Sequence, residues 1–140
     1  MANLSPKPMK ALLIDDSKVH RLPIQRAIGQ AGYEVIIAAD GEAGLRAAHD
    51  EHPDVIILDM LLPRLSGVDV LRRLRQEPDT RTIPVIVLTA LSGKNREKLI
   101  AEGANEFLEK SLVLTSRECS LLISAIHQLV HTEQKSGSIA

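Results

Sequence analysis

The sequence predicts an α/β domain in which a doubly wound, five-stranded parallel sheet is covered by helices on both faces. Two observations support this fold class. Short apolar runs of strand length alternate with longer segments whose apolar residues recur at helical spacing. One of the runs, Val55–Leu58, holds four apolar residues in a row, which is typical of a central strand buried on both faces.

The five predicted strands are short runs of aliphatic and β-branched residues, bounded by turn residues or helix caps. They lie at residues 10–14, 34–38, 55–58, 83–88 and 105–109. A predicted helix follows each strand, and this alternation favours parallel pairing of the strands.

The five predicted helices lie at residues 18–31, 41–51, 67–77, 95–102 and 115–131. Ser17 is suited to cap the first helix and Gly32 to end it. Pro23 falls inside this helix, where a kink or a lost hydrogen bond is expected to cost about 3 kcal/mol. The segment Thr115-Ser116-Arg117-Glu118 has the spacing of a capping box and is expected to open the fifth helix.

Composition indicates one domain at residues 9–131, with a flexible lead-in at 1–8 and a flexible tail at 132–140. Lys and Arg number 17 against 18 Asp and Glu, so charge gives no case for a nucleic-acid or membrane partner. No apolar run approaches the roughly 18 residues of a membrane span, and we expect a cytoplasmic protein. The single cysteine, Cys119, excludes an internal disulfide and is expected to be buried.

Polar side chains stand at the ends of four predicted strands: Asp15, Asp16, Asp59, Thr89 and Lys110. The carboxyl ends of parallel strands meet at one edge of a sheet, so these groups should converge. Three carboxylates need a compensating cation, and Mg²⁺ is the simplest one. Thr89 and Lys110 suit a phosphoryl group. The residues therefore predict a metal-assisted phosphoryl site with a carboxylate nucleophile.

Each of these residues also has an ordinary alternative. A lone Asp after a strand is more often a turn or cap residue, Thr89 alone would be a capping hydroxyl, and Lys110 alone would be a surface charge. Their joint occurrence at successive strand ends favours the functional interpretation, because unrelated polar residues need not fall on one edge.

Two further sets of residues have open alternatives. Four arginines near the third helix could form an anion patch, but the adjacent Glu77 and Asp79 favour a solvated face; they are Arg64, Arg72, Arg73 and Arg75. His127 and His131 are four residues apart on the fifth helix, which permits a metal site without requiring one.

Four motifs together carry a family resemblance. They are Ile14-Asp15-Asp16-Ser17, Leu58-Asp59-Met60-Leu61-Leu62-Pro63 with Ser66-Gly67, Leu88-Thr89-Ala90, and Phe107-Leu108-Glu109-Lys110. In order and spacing, residues 9–131 resemble the receiver domain of two-component response regulators. The resemblance implies a flavodoxin-like (βα)₅ fold with strand order 2-1-3-4-5.

The resemblance also implies roles for the acidic residues. Asp59 would be the phosphoacceptor, and it would take part in binding Mg²⁺. Asp16 would bind the ion directly, Asp15 would act mainly through water, and Leu61 would offer its backbone carbonyl.

The resemblance further implies a switch that responds to the phosphoryl group. Thr89, followed by Ala90, would hydrogen-bond a phosphoryl oxygen, and Lys110 would pair with it. Phe107 would rotate inward when Thr89 moves, although core packing is an equal alternative for this side chain.

The sequence departs from the family at two places. Ser111 stands where a proline usually follows the lysine, and the segment 111–114 is longer and more apolar than usual, so this loop is expected to depart from the family's geometry. Leu61 and Leu91 occupy positions that influence dephosphorylation, and as an apolar pair they predict slow loss of phosphate.

The resemblance implies a stand-alone phosphoacceptor that is not an enzyme beyond self-phosphotransfer and autodephosphorylation. Its partners would be a sensor histidine kinase or a histidine phosphotransfer protein, and a downstream protein on the face of the fourth helix, fifth strand and fifth helix (α4–β5–α5). That face also permits a phosphorylation-dependent homodimer. The alternatives are a phosphorylation-independent adaptor and an aspartyl-nucleophile phosphatase of the dehalogenase type, which would need an Asp-x-Asp on strand one.

Overall fold

A computed structural model describes residues 8–90 and 95–139, with the side chains of 132–139 outside the description. Its five strands are β1 Lys10–Ile14, β2 Glu34–Ala38, β3 Val55–Leu58, β4 Val85–Thr89 and β5 Glu106–Glu109. They form one sheet in the order β2-β1-β3-β4-β5, and all four pairings are parallel. The predicted fold class and strand order are confirmed.

Six α-helices lie within the described residues, and the first three begin at polar caps. They are α1 Lys18–Gln30, α2 Gly41–Glu51, α3 Gly67–Gln76, α4 Arg96–Ala101, α5 Lys110–Thr115 and α6 Ser120–Ile139. The side chains of Ser17, Asp40 and Ser66 each accept a hydrogen bond from a backbone N–H in the first turn of α1, α2 and α3, respectively. Pro23 lies inside α1 as predicted.

Two apolar clusters cover the two faces of the sheet. Because side chains alternate along a strand, Ile56 and Leu58 of β3 face one cluster, whereas Val55 and Ile57 face the other. The first cluster includes side chains of α2, α3 and α4, and the second includes side chains of α1, α5 and α6. Burial on both faces explains the unbroken apolar run of β3.

The predicted capping box at residues 115–118 is wrong. Lys110–Thr115 forms the additional helix α5, a 3₁₀ helix follows at Arg117–Cys119, and α6 begins only at Ser120. The Thr115 hydroxyl donates backwards to the Ser111 carbonyl at 2.7 Å, so it caps the end of α5 rather than the start of the next helix. The helix predicted as the fifth is therefore α6.

Two other parts of the chain bear on the predictions. α6 extends to Ile139 and includes most of the segment predicted as a tail, whose flexibility stays a prediction. The loop between β4 and α4, with Leu91, lies outside the described residues. Within residues 8–90 and 95–139, no helix combines the length and hydropathy that crossing a membrane requires.

The arginines of α3 act as ties between elements rather than as a uniformly solvated face. Arg72 forms two hydrogen bonds to Glu102 at the end of α4. Arg75 donates to the backbone carbonyls of Arg81, Ile83 and Gly103, and to the side chain of Asn105. The solvated-face prediction is wrong for Arg75, which links α3 to the segments on both sides of β4.

Candidate functional site

Three of the predicted site residues lie directly after strands, and a fourth ends one. Asp15 follows β1, Asp59 follows β3, Lys110 follows β5, and Thr89 is the last residue of β4. The backbone N–H of Asp59 donates to the Ile14 carbonyl, which continues the pairing of β1 with β3 to the edge of the sheet. All four polar side chains are buried, as expected for a crevice at the strand ends.

A single ammonium group joins two carboxylates in this crevice. Lys110 Nζ lies 2.8 Å from Asp15 Oδ2 and 3.1 Å from Asp59 Oδ2. The contact with Asp59 has hydrogen-bonding geometry, whereas the shorter contact with Asp15 is an ion pair without a hydrogen-bonding angle. Lys110 is 4% exposed, so this positive charge is stabilised by the two acids rather than by solvent.

The second oxygen of each buried carboxylate accepts a backbone hydrogen bond. Asp15 Oδ1 accepts from the Ser17 N–H at 2.9 Å, and Asp59 Oδ1 accepts from the Leu61 N–H at 3.1 Å. Both bonds span two residues, which is the geometry of Asx turns. They fix the orientation of the carboxylates and leave the Oδ2 atoms directed toward Lys110.

An acidic cluster satisfies the donor set expected for a hard divalent cation. Within the described residues, one group of three candidate ligand side chains has its oxygens within 4.8 Å of one another, and it consists of Asp15, Asp16 and Asp59. Asp16 is exposed, whereas the other two are buried. Asp15 Oδ2 is a buried acceptor with no hydrogen-bond donor among the described residues. A carboxylate oxygen that accepts no hydrogen bond, beside two further carboxylates, fits Mg²⁺.

Burial raises the pKa of the Asp59 carboxyl above its ordinary value. The N–H of Leu61 and the ammonium group of Lys110 act in the opposite direction, and the nearby Asp15 raises the pKa further. The ionised form of Asp59 therefore depends on the cations and donors around it. Any additional cation in the cluster would favour the ionised carboxylate.

Gly67 brings the start of α3 against the loop that carries Asp59. A Cβ atom on Gly67 would lie 2.5 Å from Met60 Cα and 2.7 Å from the Asp59 carbonyl oxygen. The Gly67 N–H donates to the Met60 carbonyl at 3.2 Å. Only glycine permits this approach. The Ser66-Gly67 pair was part of the family motif, but its steric role was not predicted.

The remaining predicted site residues differ in solvent exposure. Thr89 is fully buried, Ala90 is exposed, and Leu61 is 53% exposed at the mouth of the site. Phe107 is buried in the cluster that contains Val87 and Leu99, as its core-packing alternative requires. Its rotation as a switch stays a prediction.

Arg21 contributes to the site, although no sequence motif pointed to it. Its guanidinium group donates to the backbone carbonyl of Asp15 at 2.9 Å, from the first turns of α1. The contact ties α1 to the loop that carries Asp15 and Asp16. An arginine on a partly exposed helix gives no sequence signal for a bond to one particular carbonyl.

The two histidines of α6 lie apart from this site. Tyr33 Oη and His127 Nδ1 are 2.6 Å apart, and the rings of His127 and His131 are stacked with centroids 5.9 Å apart. His127 therefore links α6 to the start of β2. These contacts give the pair a structural role, and its metal binding stays untested.

The comparisons with known proteins all point to one family. The family model described as the response regulator receiver domain matches residues 11–117. The response regulator PleD of Caulobacter vibrioides is 31% identical over 140 residues, which cover 94% of this chain and 31% of that protein. The chain spans between 31% and 54% of the length of the first curated relatives.

Solved structures show the same fold. The chemotaxis response regulator CheY4 of Vibrio cholerae has a TM-score of 0.77 at 27% identity, covering 88% of this chain and 99% of that one. The receiver domain of a sensor histidine kinase from Pseudomonas aeruginosa also has a TM-score of 0.77, at 29% identity, covering 89% of this chain and 99% of that one. That structure is described with a magnesium ion coordinated in its active site cleft.

Proposed function

The chain belongs to the response regulator receiver family, and from this membership we propose that Asp59 accepts a phosphoryl group. The donor is a sensor histidine kinase or a histidine phosphotransfer protein. The observation that carries the proposal is the buried pair of Asp59 and Lys110, 3.1 Å apart, beside the oxygens of Asp15 and Asp16. A nucleophilic carboxylate beside a fixed cation suits phosphoryl transfer, which depends on positioning and charge neutralisation.

The reaction transfers the phosphoryl group from nitrogen to oxygen. A bond forms between an Asp59 carboxylate oxygen and phosphorus while the bond from phosphorus to the donor imidazole nitrogen breaks. The electron pair of the broken bond stays on that nitrogen, which takes up a proton. The product is an acyl phosphate that is later lost by hydrolysis, and the proposed role is that of a signalling domain rather than a metabolic enzyme.

Mg²⁺ is the proposed cofactor, held by the carboxylates of Asp15, Asp16 and Asp59 with the backbone carbonyl of Leu61. When bound, the ion neutralises charge on the phosphoryl oxygens. The chain itself orients Asp15 and Asp59 through the backbone donors of Ser17 and Leu61. The magnesium in the related Pseudomonas aeruginosa domain supports this proposal.

Thr89, Ala90 and Lys110 form the proposed response to phosphorylation. The acyl phosphate adds negative charge and acceptor oxygens, which Lys110 and the Thr89 hydroxyl would contact. Phe107 would adjust its packing as Thr89 moves toward the phosphoryl group. The buried position of Lys110 supports this role, because a charge paired with two acids responds to any new anion placed between them.

The output is proposed to be protein–protein contact on the surface of α4, β5 and α6, to which α5 contributes. This surface carries three large apolar side chains that are at least 40% exposed: Ile100, Leu112 and Leu121. Exposed apolar residues on neighbouring elements are typical of interaction sites. The downstream partner is a protein or a second copy of the chain, and action in the cytoplasm is part of the proposal.

The proposal is tested by exposing the protein to acetyl phosphate and Mg²⁺ and measuring intact mass. We expect the mass increase of one phosphoryl group in the wild type and none in Asp59→Asn. Asp54→Asn, which changes an acid at the other end of β3, is the matched control and should be labelled. Labelling of Asp59→Asn to the same extent would refute the assignment, whereas steady turnover of a phosphoester would favour the phosphatase alternative.

The lifetime of the acyl phosphate tests the role of Leu61. An apolar side chain orients no attacking water, so we expect slow hydrolysis in the wild type and faster hydrolysis in Leu61→Gln. Decay of the labelled protein after removal of the donor measures both rates. A wild-type lifetime of only seconds would contradict this expectation.

A further inference from the structure

Helix α5 joins the site to α6 through a very short length of chain. Lys110, which contacts both buried acids, is the first residue of α5, and the helix ends at Thr115. The 3₁₀ helix Arg117–Cys119 and then α6, from Ser120, follow almost immediately. A displacement of Lys110 therefore has only residues 116–119 between α5 and α6 to absorb it.

The contacts of α5 hold it as one unit. Val113 is fully buried in the apolar cluster that also contains Cys119 and Leu122. At the end of the helix, the Thr115 hydroxyl donates to the Ser111 carbonyl. The Ser116 hydroxyl donates to the Val113 carbonyl at 2.6 Å. These bonds satisfy carbonyls that the end of a helix leaves free.

The backbone between α5 and α6 is strained. Glu118 has φ 52° and ψ 34°, and Cys119 has φ 55°, so two consecutive non-glycine residues are left-handed. The left-handed conformation is disfavoured by about five- to thirtyfold for each such residue. Cys119 is buried and Glu118 is exposed, so core packing of Cys119 imposes the conformation on both.

We propose that the left-handed pair Glu118–Cys119 is a hinge between α5 and α6 that is strained in the unphosphorylated protein, in which Lys110 contacts both buried acids. The hinge relaxes when Lys110 moves with a phosphoryl group on Asp59, and α6 then shifts. Strain that is present in only one of two states shifts the equilibrium toward the other state, by the factor by which the strained conformation is disfavoured. The inference rests on the proposed role of Asp59.

Position 118 permits a test that leaves the core intact, because the Glu118 side chain is exposed. Glycine tolerates the left-handed conformation, alanine tolerates it less, and valine least, since its Cβ is branched. In urea unfolding of the unphosphorylated protein, we expect Glu118→Gly to have a folding equilibrium constant about fivefold above that of Glu118→Ala. Glu118→Val should have the lowest constant.

The second measurement is the change in amide hydrogen exchange of residues 120–131 when Asp59 is labelled with acetyl phosphate and Mg²⁺. We expect the reverse order, with the smallest change in Glu118→Gly and the largest in Glu118→Val, because relief of strain favours the unphosphorylated state. Glu118→Ala controls for loss of the charge.

Two outcomes would overturn the proposed hinge, and a third would refute the function proposed for Asp59. Equal stability of Glu118→Gly and Glu118→Ala would overturn the hinge, since no strain would then be stored. The predicted stability order with equal exchange changes in all variants would also overturn it, because the junction would be structural only. A wild type that intact mass shows to be unlabelled would instead refute the function proposed for Asp59.

Discussion

Lys110 Nζ lies closer to Asp15 Oδ2, at 2.8 Å, than to Asp59 Oδ2, at 3.1 Å. The lysine is thus shared between the proposed phosphoacceptor and a proposed metal ligand. Two buried acids and one buried base leave one net negative charge in the crevice, before the exposed Asp16 is counted. This imbalance explains why a cation suits the cluster, and it makes the stability of the domain sensitive to each of these groups.

Replacing Lys110 by Met is expected to destabilise the domain strongly. The substitution leaves Asp15 and Asp59 buried without their shared cation, and removal of one partner from a buried ion pair costs about 3–5 kcal/mol. Lys10→Met is the matched control, because Lys10 forms a partly exposed pair with Glu51 that is worth about 0–1 kcal/mol. Urea unfolding at neutral pH measures both, and equal effects would contradict the importance of the buried contact.

Replacing Asp59 by Asn is expected to stabilise the protein at neutral pH in the absence of Mg²⁺. Burial raises the pKa of Asp59 in the folded state, so the folded protein binds more protons than the unfolded chain between the two pKa values. The contribution of the Asp59 carboxyl to the free energy of unfolding therefore falls as the pH rises through that interval. Asparagine does not ionise, so Asp59→Asn avoids this decrease in stability. Thermal unfolding should give a higher Tm for Asp59→Asn at neutral pH.

The same measurement at acid pH supplies the internal check. Below the pKa of the unfolded chain, Asp59 is protonated in both states, so its contribution no longer depends on ionisation. The difference in Tm between Asp59→Asn and the wild type should shrink there. Asp16→Asn, at an exposed position, should give a smaller difference at neutral pH, and the opposite order would contradict burial as the cause.

The alternation of strands and helices was sufficient to predict the fold, because each strand is a separate apolar run with clear boundaries. Helix α5 could not be predicted in the same way. Its apolar residues 112–114 follow Lys110 and Ser111 without a side-chain cap, and the helical conformation is stabilised by burial of Val113. Thr115 and Glu118 have capping-box spacing, but the Thr115 hydroxyl bonds to the preceding turn instead. Tertiary packing overrode the local signal.

The convergence of Asp15, Asp59 and Lys110 was predictable because parallel strands place their ends on one edge. The details that depend on loop geometry were not. The bond from Arg21 to the Asp15 carbonyl and the close approach of Gly67 to Met60 require knowledge of how α1 and α3 enter the site. Residue types at strand ends predict which groups meet, whereas the surrounding backbone decides how they are held.

Mg²⁺ is expected to raise the Tm of the wild type in a concentration-dependent way. A ligand that binds only the folded state stabilises it by about 2.7 kcal/mol when its concentration is 100 times the dissociation constant. Asp16→Asn should abolish most of the shift, because it removes an exposed carboxylate of the cluster. Asp50→Asn, an exposed acid on α2, is the control, and loss of the shift in both variants would indicate a nonspecific charge effect.

Two glycine-to-alanine substitutions should have opposite signs. Gly67→Ala places a Cβ 2.5 Å from Met60 Cα, and because that neighbour is backbone, α3 must move away from the Asp59 loop. We expect a loss of about 1–3 kcal/mol in the free energy of unfolding, together with slower labelling of Asp59. Gly29→Ala adds a Cβ inside α1 with no atom within 4 Å, so it should stabilise the helix by about 0.5–1 kcal/mol and leave labelling unchanged. Urea unfolding and the acetyl phosphate assay measure both variants. If Gly67→Ala lost stability but labelled Asp59 at the wild-type rate, the contact would support the fold without positioning the phosphoacceptor.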